Sequence, residues 1–510
     1  MSQPIRYYIT TAIDYANGSP HMGHAFEKIG ADAMARYHRL RGDDVHFVMG
    51  MDEHGLKVLQ SAETAGITPQ QWVDGLAAEF EAMWARLLIS NDDFMRTTQK
   101  RHARSAVELV KRIQQSGDFH RDRYAGWYCV GCEAFKRDDE LVIDEDGKHR
   151  CVLHPNREAQ WSEENNWFFE LSKYQERLLR FYAEHPKFIQ PESRRNEILR
   201  LVESGLEDIS VSRSVSWGIA WPGDETQTIW VWIEALINYI SATSFPDPGY
   251  ERTWPAACHV IGKDITRFHC VIWPAMLMSA GLEPPQSVWA HGFVNFDGRK
   301  LSKSEGVQID LGDAVARFGP DAFRYYLLRE VPWNDDGDFT MERFAARYNA
   351  DLADDLGNLA NRAISMIERY RNGVVPGGER TWLDDEIAAA LTRYRAAMDA
   401  NVLHHGAAAA MDLAVSANGF VEARSPWKQA KDPAAAGDLD ATLASLARTL
   451  VALVSLLHPF MPGKMAELGE RIGLSEPLRL ADLEGHDVTG WAVHRGAVLF
   501  PKEEREPAEA

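Results

Sequence analysis

The 510-residue sequence predicts an α/β protein in which a parallel sheet is split by a cysteine-containing insertion and followed by an all-α helix bundle. Three observations predict this fold class. Short β-rich runs alternate with helical periodicity over 6–50 and again over 258–292, a pattern typical of parallel sheets with crossover helices. Residues 115–225 break this alternation. Beyond residue 345 the strand signals fade, and long alanine-rich segments show helical spacing.

The first elements follow from local signals near the start of the chain. A β-rich run at 6–13 predicts a strand, and the turn-forming segment after it leads into a predicted helix at 21–41. Ser19 is the expected N-cap of this helix, and Gly42 is expected to end it. The apolar run at 45–50 predicts the next strand. Strand, helix and strand in this order predict the opening of a parallel sheet.

Composition excludes several classes of protein. The net charge of −20 argues for solubility and against an indiscriminate binder of polyanions, although a local basic face can still bind RNA. No basic segment followed by an apolar one opens the chain, so no secretory signal is predicted. No apolar run approaches 18 residues, so no membrane span is expected. Five cysteines are too few for a disulfide framework. A cytoplasmic protein of two to four domains is the prediction.

Two closely spaced pairs of soft ligands lie in the insertion. Cys129 and Cys132 form the first pair, and Cys151 and His154 form the second, eighteen residues after Cys132. Each pair fits a tight turn, and four protein ligands leave no open position for a catalytic water. The spacing therefore predicts one structural zinc ion. The alternative is three buried cysteines and a surface histidine.

Alternating signals resume after the insertion. "CHVIG" at 258–262 and "SVWAHG" at 287–292 predict buried strands, with a helix at 265–281 between them. Asp297 and Gly298 predict a hairpin turn. The loop "KLSKS" at 300–304 then carries two lysines and two serines, a cationic clamp suited to polyphosphate. It lacks the spacing of a P-loop, and taken alone it would by default be interpreted as a solvated surface loop.

The stretch "SPHMGH" at 19–24 places His21 and His24 at the predicted start of a helix after a strand. A zinc site is disfavoured because no third ligand is nearby. A helix N-terminus attracts anions, imidazoles donate to phosphate oxygens, and the small Gly23 allows a ligand to approach the backbone. The motif therefore indicates a phosphate site, with a surface capping histidine as the alternative.

"HMGH" and "KLSKS", in this order, resemble the HIGH and KMSKS signatures of class I aminoacyl-tRNA synthetases. The wider match resembles the methionyl-tRNA synthetase family in its short bacterial form, through the blocks "DYANGSPHMGHA", "GMDEHG", "VWIEALINY", "GKDITRFH", "HGFVNFDGRKLSKS" and "GNLANR". This resemblance covers nearly the whole chain. It implies a split Rossmann-type parallel sheet with an inserted zinc-knuckle domain, followed by an all-α anticodon-binding helix bundle.

The resemblance also implies an activity, in which methionine is activated with ATP to methionyl-adenylate and then transferred to the 3′ end of tRNA(Met), initiator tRNA included. His21, His24, Lys300 and Lys303 would be catalytic, and Gly23 and Ser302 would join them in binding ATP with Mg²⁺. The methionine site would consist of one carboxylate for the ammonium group and a mainly aromatic pocket for the thioether: Asp52 with Ile13, Tyr15, Trp232, Ala235, Tyr239, Ile265 and His269. The sequence departs from the family pattern at Ile13 and Asp14, where Leu-Pro is often seen, at Glu234, where Asp is usual, and at Leu236, where Pro can occur.

In the bundle, the resemblance implies anticodon binding by Asn358, Arg362 and Trp427. Asn358 and Arg362 share a helix face, and an aromatic side chain beside them suits a single-stranded RNA loop. For Trp427 the alternative is a helix-packing role. The family form without a C-terminal oligonucleotide-binding module predicts a monomer. Alternative functions are another class I synthetase, or a tRNA-binding paralogue without catalysis.

The predicted domain boundaries follow these features along the chain. They are the first half of the catalytic domain at 1–114, the insertion at 115–225, the second half of the catalytic domain at 226–295, the KLSKS loop and stem-contact region at 296–345, the helix bundle at 346–500, and an acidic tail at 501–510.

Overall fold

The structure is a computed structural model that describes residues 5–296, 299–300 and 311–503, with the backbone alone at 296 and 299–300. The first ten strands in chain order are β1 (Arg6–Thr11), β2 (Asp14–Tyr15), β3 (Asp44–Asp52), β4 (Asp93–Arg96), β5 (Phe119–Cys129), β6 (Ala134–Lys136), β7 (Leu141–Ile143), β8 (His149–Cys151), β9 (His154–Glu158) and β10 (Gln160–Phe169). The others are β11 (Ile189–Gln190), β12 (Ile209–Ser210), β13 (Ser212–Arg213), β14 (Ala220–Trp221), β15 (Asp224–Ile229), β16 (Cys258–Gly262), β17 (Val288–His291), β18 (Val294–Phe296), β19 (Arg299–Lys300) and β20 (Gly337–Asp338).

Helices flank the sheets and form the C-terminal part. Those before residue 280 are α1 (Met22–Arg41), α2 (Leu56–Ala65), α3 (Pro69–Arg86), α4 (Lys100–Ser116), α5 (Gln175–Glu184), α6 (Glu192–Glu203), α7 (Val231–Ser241) and α8 (Trp273–Ser279). Those after residue 310 are α9 (Leu311–Phe318), α10 (Pro320–Glu330), α11 (Met341–Arg347), α12 (Asn358–Arg371), α13 (Trp382–Asp399), α14 (Leu403–Arg424), α15 (Pro426–Gln429), α16 (Ala436–Leu457) and α17 (Pro462–Arg471). π-Helical segments at Phe268–Ile272 and Tyr348–Gly357 lead into α8 and α12.

The main sheet has seven strands, in the order β11-β17-β16-β1-β3-β2, with β4 also paired to β3. Every pair in it is parallel. The chain runs outward from β1 through β3 to one side and from β16 through β17 to the other, so the order reverses between β1 and β16. The predicted α/β class with a parallel Rossmann-type sheet is confirmed. Ligands bind at such a reversal, beyond the carboxyl ends of the strands.

Antiparallel sheets carry the metal-ligand pairs. β5 and β10 form a long ladder from Phe119↔Phe169 to Tyr128↔Gln160, and β7, β8 and β9 form a small sheet beside it. Within the predicted insertion, however, the edge strand β11 joins the main sheet by pairing with β17. Residues 115–225 are therefore not one separate unit, because α5, α6 and β11 pack with the α/β part. A two-residue strand carries no periodicity from which to predict this.

The C-terminal part is all helical, as the alanine-rich spacing predicts. α14, which no periodic stripe singled out, packs against α13 and α16. The segment Pro433–Leu457 is long and apolar enough to span a membrane, but 94% of its apolar window is buried inside the protein, which identifies it as the core helix of the bundle.

A buried arginine joins the bundle to the catalytic domain. Arg324 on α10 is fully buried and donates to Asp32 Oδ2 of α1 at 2.6 Å and to the Pro459 carbonyl at 2.8 Å. It also donates to the Leu87 carbonyl at 3.1 Å. Removing one partner of a buried, hydrogen-bonded ion pair is strongly destabilising. Arg324 thus connects α1 directly to the segment that follows α16 in the bundle.

Candidate active site

The carboxyl ends of β1, β3, β16 and β17 meet at one edge of the main sheet, where two connected cavities open. The first has a volume of about 240 Å³ and the second about 400 Å³. Residues shared by both cavities line the passage between them: Ala12, Ile13, Tyr15, Trp232 and Ile265. One ligand can therefore reach from one cavity into the other.

His21 is the N-cap of α1, so the prediction of Ser19 as N-cap is wrong. Its Nδ1 accepts from the backbone N–H of Gly23 at 3.2 Å and of His24 at 3.4 Å, while His24 Nδ1 accepts from the His21 N–H at 3.4 Å. The local rule that favours serine as a cap is overridden by this reciprocal pair of imidazoles. Gly42 ends the helix in the left-handed conformation, as predicted.

The capping hydrogen bonds determine which ring nitrogen of His21 and of His24 carries the proton. Since each Nδ1 accepts a hydrogen bond, the proton of each neutral ring lies on Nε2, the form that donates to a phosphate oxygen. The two rings stack at 3.6 Å between centroids. A Cβ at Gly23 would lie only 3.2 Å from His21 Cε1, so this glycine makes room for the folded-back ring. His21 and His24 both border the second cavity.

All eight side chains expected in a methionine site line the first cavity. Further lining residues come from the metal-ligand region and α7, namely Gly131, Cys132, Glu133, Val231 and Leu236. Trp232 stacks on Phe268 at 4.4 Å between centroids, which gives the cavity one flat aromatic wall. The cavity is therefore mostly apolar, with a single carboxylate at each of two points, Asp52 and Glu133.

Asp52 ends β3 and is buried in the first cavity. Its Oδ1 has no hydrogen-bond partner among the described residues. Burial and the nearby Glu234 carboxylate raise the pKa of Asp52 well above its usual range, against the lowering effect of the His54 backbone N–H. A cationic group placed here would relieve the cost of an unpaired buried carboxylate.

Glu234 lies behind Asp52 in a buried ion pair that sequence reasoning did not assign. Its Oε1 contacts His54 Nδ1 directly and lies 3.6 Å from His102 Nε2. Burial raises the pKa of Glu234, but the two histidines outweigh it and lower the value to about 2. Glu234 therefore stays ionised, and its negative charge explains part of the raised pKa of Asp52.

Tyr239 and His269 form the neutral end of the first cavity. The Tyr239 hydroxyl and His269 Nε2 are 2.6 Å apart, and His269 Nδ1 lies 3.0 Å from the Ile265 carbonyl oxygen. Nδ1 must donate to that carbonyl, so Nε2 accepts the tyrosine proton. Burial lowers the pKa of His269 to about 4, which keeps the ring neutral. The Tyr239 hydroxyl proton and the His269 Nδ1 proton are both used in these hydrogen bonds, so this end of the cavity offers a polarizable surface without a free donor from either group.

The second cavity contains a buried charge cluster that the sequence did not reveal. Lys28 Nζ donates to Asp14 Oδ1 and Glu27 Oε1, each at 2.7 Å, and to the Ala12 carbonyl at 2.8 Å. Glu27 Oε2 lies 3.3 Å from His291 Nε2. Burial raises the pKa of Asp14 to about 7 despite the ammonium of Lys28. The departure from the family pattern at Asp14 was the one signal that pointed here.

The loop predicted to clamp polyphosphate lies largely outside the described residues. Lys300 is described only by its backbone, which pairs with Asn295 across the antiparallel strands β18 and β19. Ser302 and Lys303 fall in the undescribed segment, as do the predicted turn residues Asp297 and Gly298. β18 follows β17, so the chain enters this segment from the second cavity.

The four predicted metal ligands come together in one cluster. Their ligand atoms all lie within 4.8 Å of one another. Cys132 Sγ is 3.6 Å from Cys151 Sγ and 3.2 Å from His154 Nδ1, and Cys129 Sγ is 3.7 Å from the same nitrogen. Zn–S bonds of about 2.3 Å in a tetrahedron require sulfur atoms roughly 3.8 Å apart, so the donor set fits zinc.

The three bundle residues lie near one another along α12 and the end of α14. Asn358 and Arg362 are both on α12, as the spacing predicts. Arg362 donates to Glu422 Oε1 of α14 at 2.6 Å, and Trp427 follows five residues later in α15 with 37% of its surface exposed. The partly exposed indole is available for a ligand, and the Arg362 guanidinium is already held by a carboxylate.

Two family models match the chain over adjoining ranges. One is described as tRNA synthetases class I (M) and matches residues 7–364. The other is described as the anticodon binding domain of methionyl tRNA ligase and matches residues 371–506.

Individual relatives match along nearly the whole chain. A methionine–tRNA ligase from Streptomyces coelicolor is 40% identical over 98% of this chain and 97% of its own length. One from Mesorhizobium japonicum is 45% identical over 91% of this chain and 90% of its own length. The solved structure of Mycobacterium tuberculosis methionyl-tRNA synthetase in complex with methionyl-adenylate superposes with a TM-score of 0.93, at 38% identity, over 98% of this chain and 100% of that one.

Proposed function

The chain belongs to the methionyl-tRNA synthetase family of class I tRNA synthetases, and we propose that its two connected cavities hold methionine and ATP. It is a methionine–tRNA ligase, which activates L-methionine with ATP to methionyl-adenylate and transfers the methionyl group to tRNA(Met). The observation that carries the assignment of the site is the first cavity, which Asp52 lines together with the seven other expected side chains, and the Oδ1 atom of Asp52 has no hydrogen-bond partner among the described residues.

In this proposal the first cavity orients methionine for attack on the α-phosphate. Asp52 holds the ammonium group, and the Tyr239–His269 end accepts the thioether through dispersion contacts with polarizable rings. The substrate carboxylate then points through the passage at Tyr15 and Trp232 toward the second cavity. No enzyme nucleophile is required, so rate enhancement comes from positioning and from stabilising charge on the phosphates.

The second cavity receives ATP in the same proposal. The Nε2–H groups of His21 and His24 donate to phosphate oxygens beside Gly23, at the positive end of the α1 dipole. Lys300, the last residue of β19, and Ser302 and Lys303, which follow it in the sequence, would bind the phosphates. Mg²⁺, when bound, neutralises polyphosphate charge, and the carboxylates of Asp14 and Asp264 at this cavity are hard oxygen ligands of the kind that it prefers.

Pyrophosphate exchange into ATP, measured separately with each of the twenty amino acids, tests this function. Methionine alone should support exchange, because an unbranched, polarizable thioether suits the mostly apolar, aromatic-lined cavity and the ammonium group suits its carboxylate. Exchange that depends on a different amino acid would favour another class I synthetase, and no exchange with any of them would favour a paralogue without catalysis.

We also propose that the cysteine cluster holds one structural zinc ion. Cys129, Cys132, Cys151 and His154 supply all four ligands, so the ion would fold the insertion and leave no site for substrate. Elemental analysis should find one equivalent of zinc per chain, and Cys129→Ser should lose it together with the stability of the insertion. Cys258→Ser, which removes a buried thiol outside the cluster, is the control and should retain the metal.

For the tRNA, we propose that Asn358, Arg362 and Trp427 contact the anticodon of both initiator and elongator tRNA(Met). The exposed Trp427 indole supports stacking on an unpaired base. We further propose a monomer that works in the cytoplasm. A net charge of −20 disfavours self-association, and five unpaired cysteines suit a reducing compartment. Sedimentation and separate charging of the two tRNAs test these points.

The domain division follows from the same proposal. The catalytic domain comprises 1–114 and 226–295, the insertion 115–225, the stem-contact region 296–345, the anticodon bundle 346–500 and the tail 501–510. The pairing of β11 with β17 supports one change to this division, in which Ile189–Gln190, toward the end of the insertion, belong to the catalytic sheet.

A further inference from the structure

Glu133, directly after the second metal ligand Cys132, points away from the cysteine cluster and into the protein. Only 4% of its surface is exposed. Its Oε1 accepts from the Tyr15 hydroxyl at 3.0 Å and from the Lys57 backbone N–H at 2.6 Å. Its Oε2 accepts from the Tyr128 hydroxyl at 2.7 Å. A buried carboxylate with three donors is satisfied and held in one orientation.

The backbone of the same turn holds two tryptophans. The Trp230 indole donates to the Glu133 carbonyl at 2.7 Å, and the Trp232 indole donates to the Cys132 carbonyl at 3.0 Å. Tyr15 and Trp232 both line the passage between the two cavities. The turn that carries the predicted metal ligands therefore holds two walls of the candidate substrate site through two hydrogen bonds, and a third hydrogen bond ties it to Trp230, the residue before α7.

Two backbone features show that this arrangement is tightly constrained. Glu133 has φ of 52°, a left-handed conformation that is unfavourable for residues other than glycine and persists only where surrounding contacts enforce it. Opposite it, a Cβ at Gly55 would lie 2.9 Å from the Tyr15 hydroxyl oxygen and 3.0 Å from Glu133 Oε1. The loop between β3 and α2 thus closes directly over the Tyr15–Glu133 hydrogen bond.

Glu133 also contacts the element that follows Asp52. Lys57 lies in the first turn of α2, and the N-cap of that helix, Gly55, has no side chain with which to cap it. The Glu133 carboxylate accepts the Lys57 N–H in its place, and a negative charge at a helix N-terminus is favourable. One side chain of the insertion therefore ties together Tyr15 and the loop that begins at Asp52.

We propose that Glu133 is a positioning residue through which the folded, metal-bearing insertion sets the shape of the methionine cavity. The inference rests on the proposed function, because it takes the first cavity as the methionine site. Glu133 acts through Tyr15 and the α2 loop, and the turn acts through Trp232. Its removal should weaken methionine binding more than ATP binding, because Glu133 itself lines the first cavity and not the second.

Methionine binding to Glu133→Ala and Glu133→Gln tests the inference, with the quenching of tryptophan fluorescence as readout because Trp232 lines the cavity. Glu133→Ala should raise the Kd for methionine about tenfold, the effect of removing hydrogen bonds to a charged group, and glutamine should restore part of it. The KM for ATP should change less than the Kd for methionine, and one equivalent of zinc should be retained. Glu140→Gln, a nearby glutamate that caps Arg137 N–H and contacts Lys136, is the matched control and should bind methionine normally.

A double-mutant cycle with Tyr15→Phe separates positioning from general stability. If Glu133 acts by holding the tyrosine hydroxyl, Glu133→Ala should add little to the loss already caused by Tyr15→Phe. Fully additive losses would overturn the inference. If Glu133→Ala loses its zinc, the test rests on Glu133→Gln. Weaker methionine binding by Glu133→Gln with full metal content supports the inference, and normal methionine binding overturns it.

Failure of the proposed function would give a different result. If Asp52→Asn also leaves methionine binding unchanged, the cavity is not the methionine site. If Asp52→Asn abolishes binding while Glu133→Ala and Glu133→Gln bind normally, only the role of Glu133 is wrong.

Discussion

Asp52→Asn should lower kcat/KM for methionine in pyrophosphate exchange by about 100-fold or more. Removing one partner of a buried charge pair typically costs about 2–5 kcal/mol, and the lost partner here is a carboxylate in the first cavity whose Oδ1 has no hydrogen-bond partner among the described residues. The KM for ATP should change little. The matched variant Asp264→Asn, whose carboxylate borders only the second cavity, should show the reverse pattern, a higher KM for ATP with methionine binding largely retained.

The pH dependence of methionine binding provides a sharper form of the same prediction. Burial and Glu234 raise the pKa of Asp52 in the free enzyme, and the bound ammonium favours the ionised carboxylate. Methionine affinity should therefore fall as the pH is lowered through the free-enzyme pKa of Asp52. Below that pH, binding should release a proton. The titration is done without ATP, because the pKa of Asp14, beside the nucleotide cavity, is about 7.

Asp52→Asn should abolish this pH dependence, since asparagine does not titrate. Methionine affinity of the wild-type enzyme that is flat with pH, or a slope that survives in Asp52→Asn, would show that another group governs binding. His54 and Glu234 remain paired in the variant, so the fold around β3 and α7 is expected to be retained.

How much of this site the sequence could predict differs from residue to residue. The eight side chains expected in a methionine site line one cavity of the structure, and they were selected as a group because they fall in blocks that match a family, not because each was recognisable. Trp232 or Ile265 alone is an ordinary core residue. Matching sequence blocks do not show which residues lie together in space. The structure shows that these residues, from positions as far apart as 13 and 269, line one cavity with the Asp52 carboxylate.

The interactions that sequence reasoning missed are contacts between distant segments. Glu133 accepts a hydrogen bond from Tyr15, which lies 118 residues earlier in the chain. Lys28 of α1 donates to Asp14 of β2, and a lysine in a helix is ordinarily expected on the surface. The N-cap of α1 was misplaced because propensities describe isolated residues, whereas His21 and His24 cap the helix as a pair. Strand β11 was not predicted because a strand of two residues is too short to show an alternation of apolar and polar side chains.

The contacts of Arg324 fix the helix bundle relative to α1, the helix that begins beside the second cavity. Arg324 joins α1, whose first turn carries His21 and His24, to the carbonyls of Pro459 and Phe460 at the end of α16. Tyr37, further along α1, donates to Asp399 of α13 at 2.6 Å. Helix α1 therefore begins at the proposed phosphate-binding residues His21 and His24 and contacts the bundle further along its length.

Trp427→Ala should lower kcat/KM for tRNA(Met) charging by about 10–100-fold while leaving methionine-dependent pyrophosphate exchange unchanged. Stacking of one base on an aromatic ring contributes about 1–3 kcal/mol, and the exchange reaction does not involve tRNA. Trp427 is partly exposed beside Lys428 and Lys431, so the loss of its indole removes a base contact and little core packing. Charging and exchange are measured on the same preparation, which removes errors in active-site concentration.

Trp382→Ala is the control, because Trp382 is also exposed on the bundle but packs edge-on against Phe420, with ring centroids 5.1 Å apart. Its loss should affect stability more than charging. Equal losses of charging and exchange in Trp427→Ala would mean that the indole supports the fold. Equal losses of charging in both variants would mean that exposed aromatic area, and not a specific base contact at Trp427, binds the RNA. A selective loss in Trp427→Ala places the anticodon at the α14–α15 corner, beside the Arg362–Glu422 pair that the RNA would then have to open or accommodate.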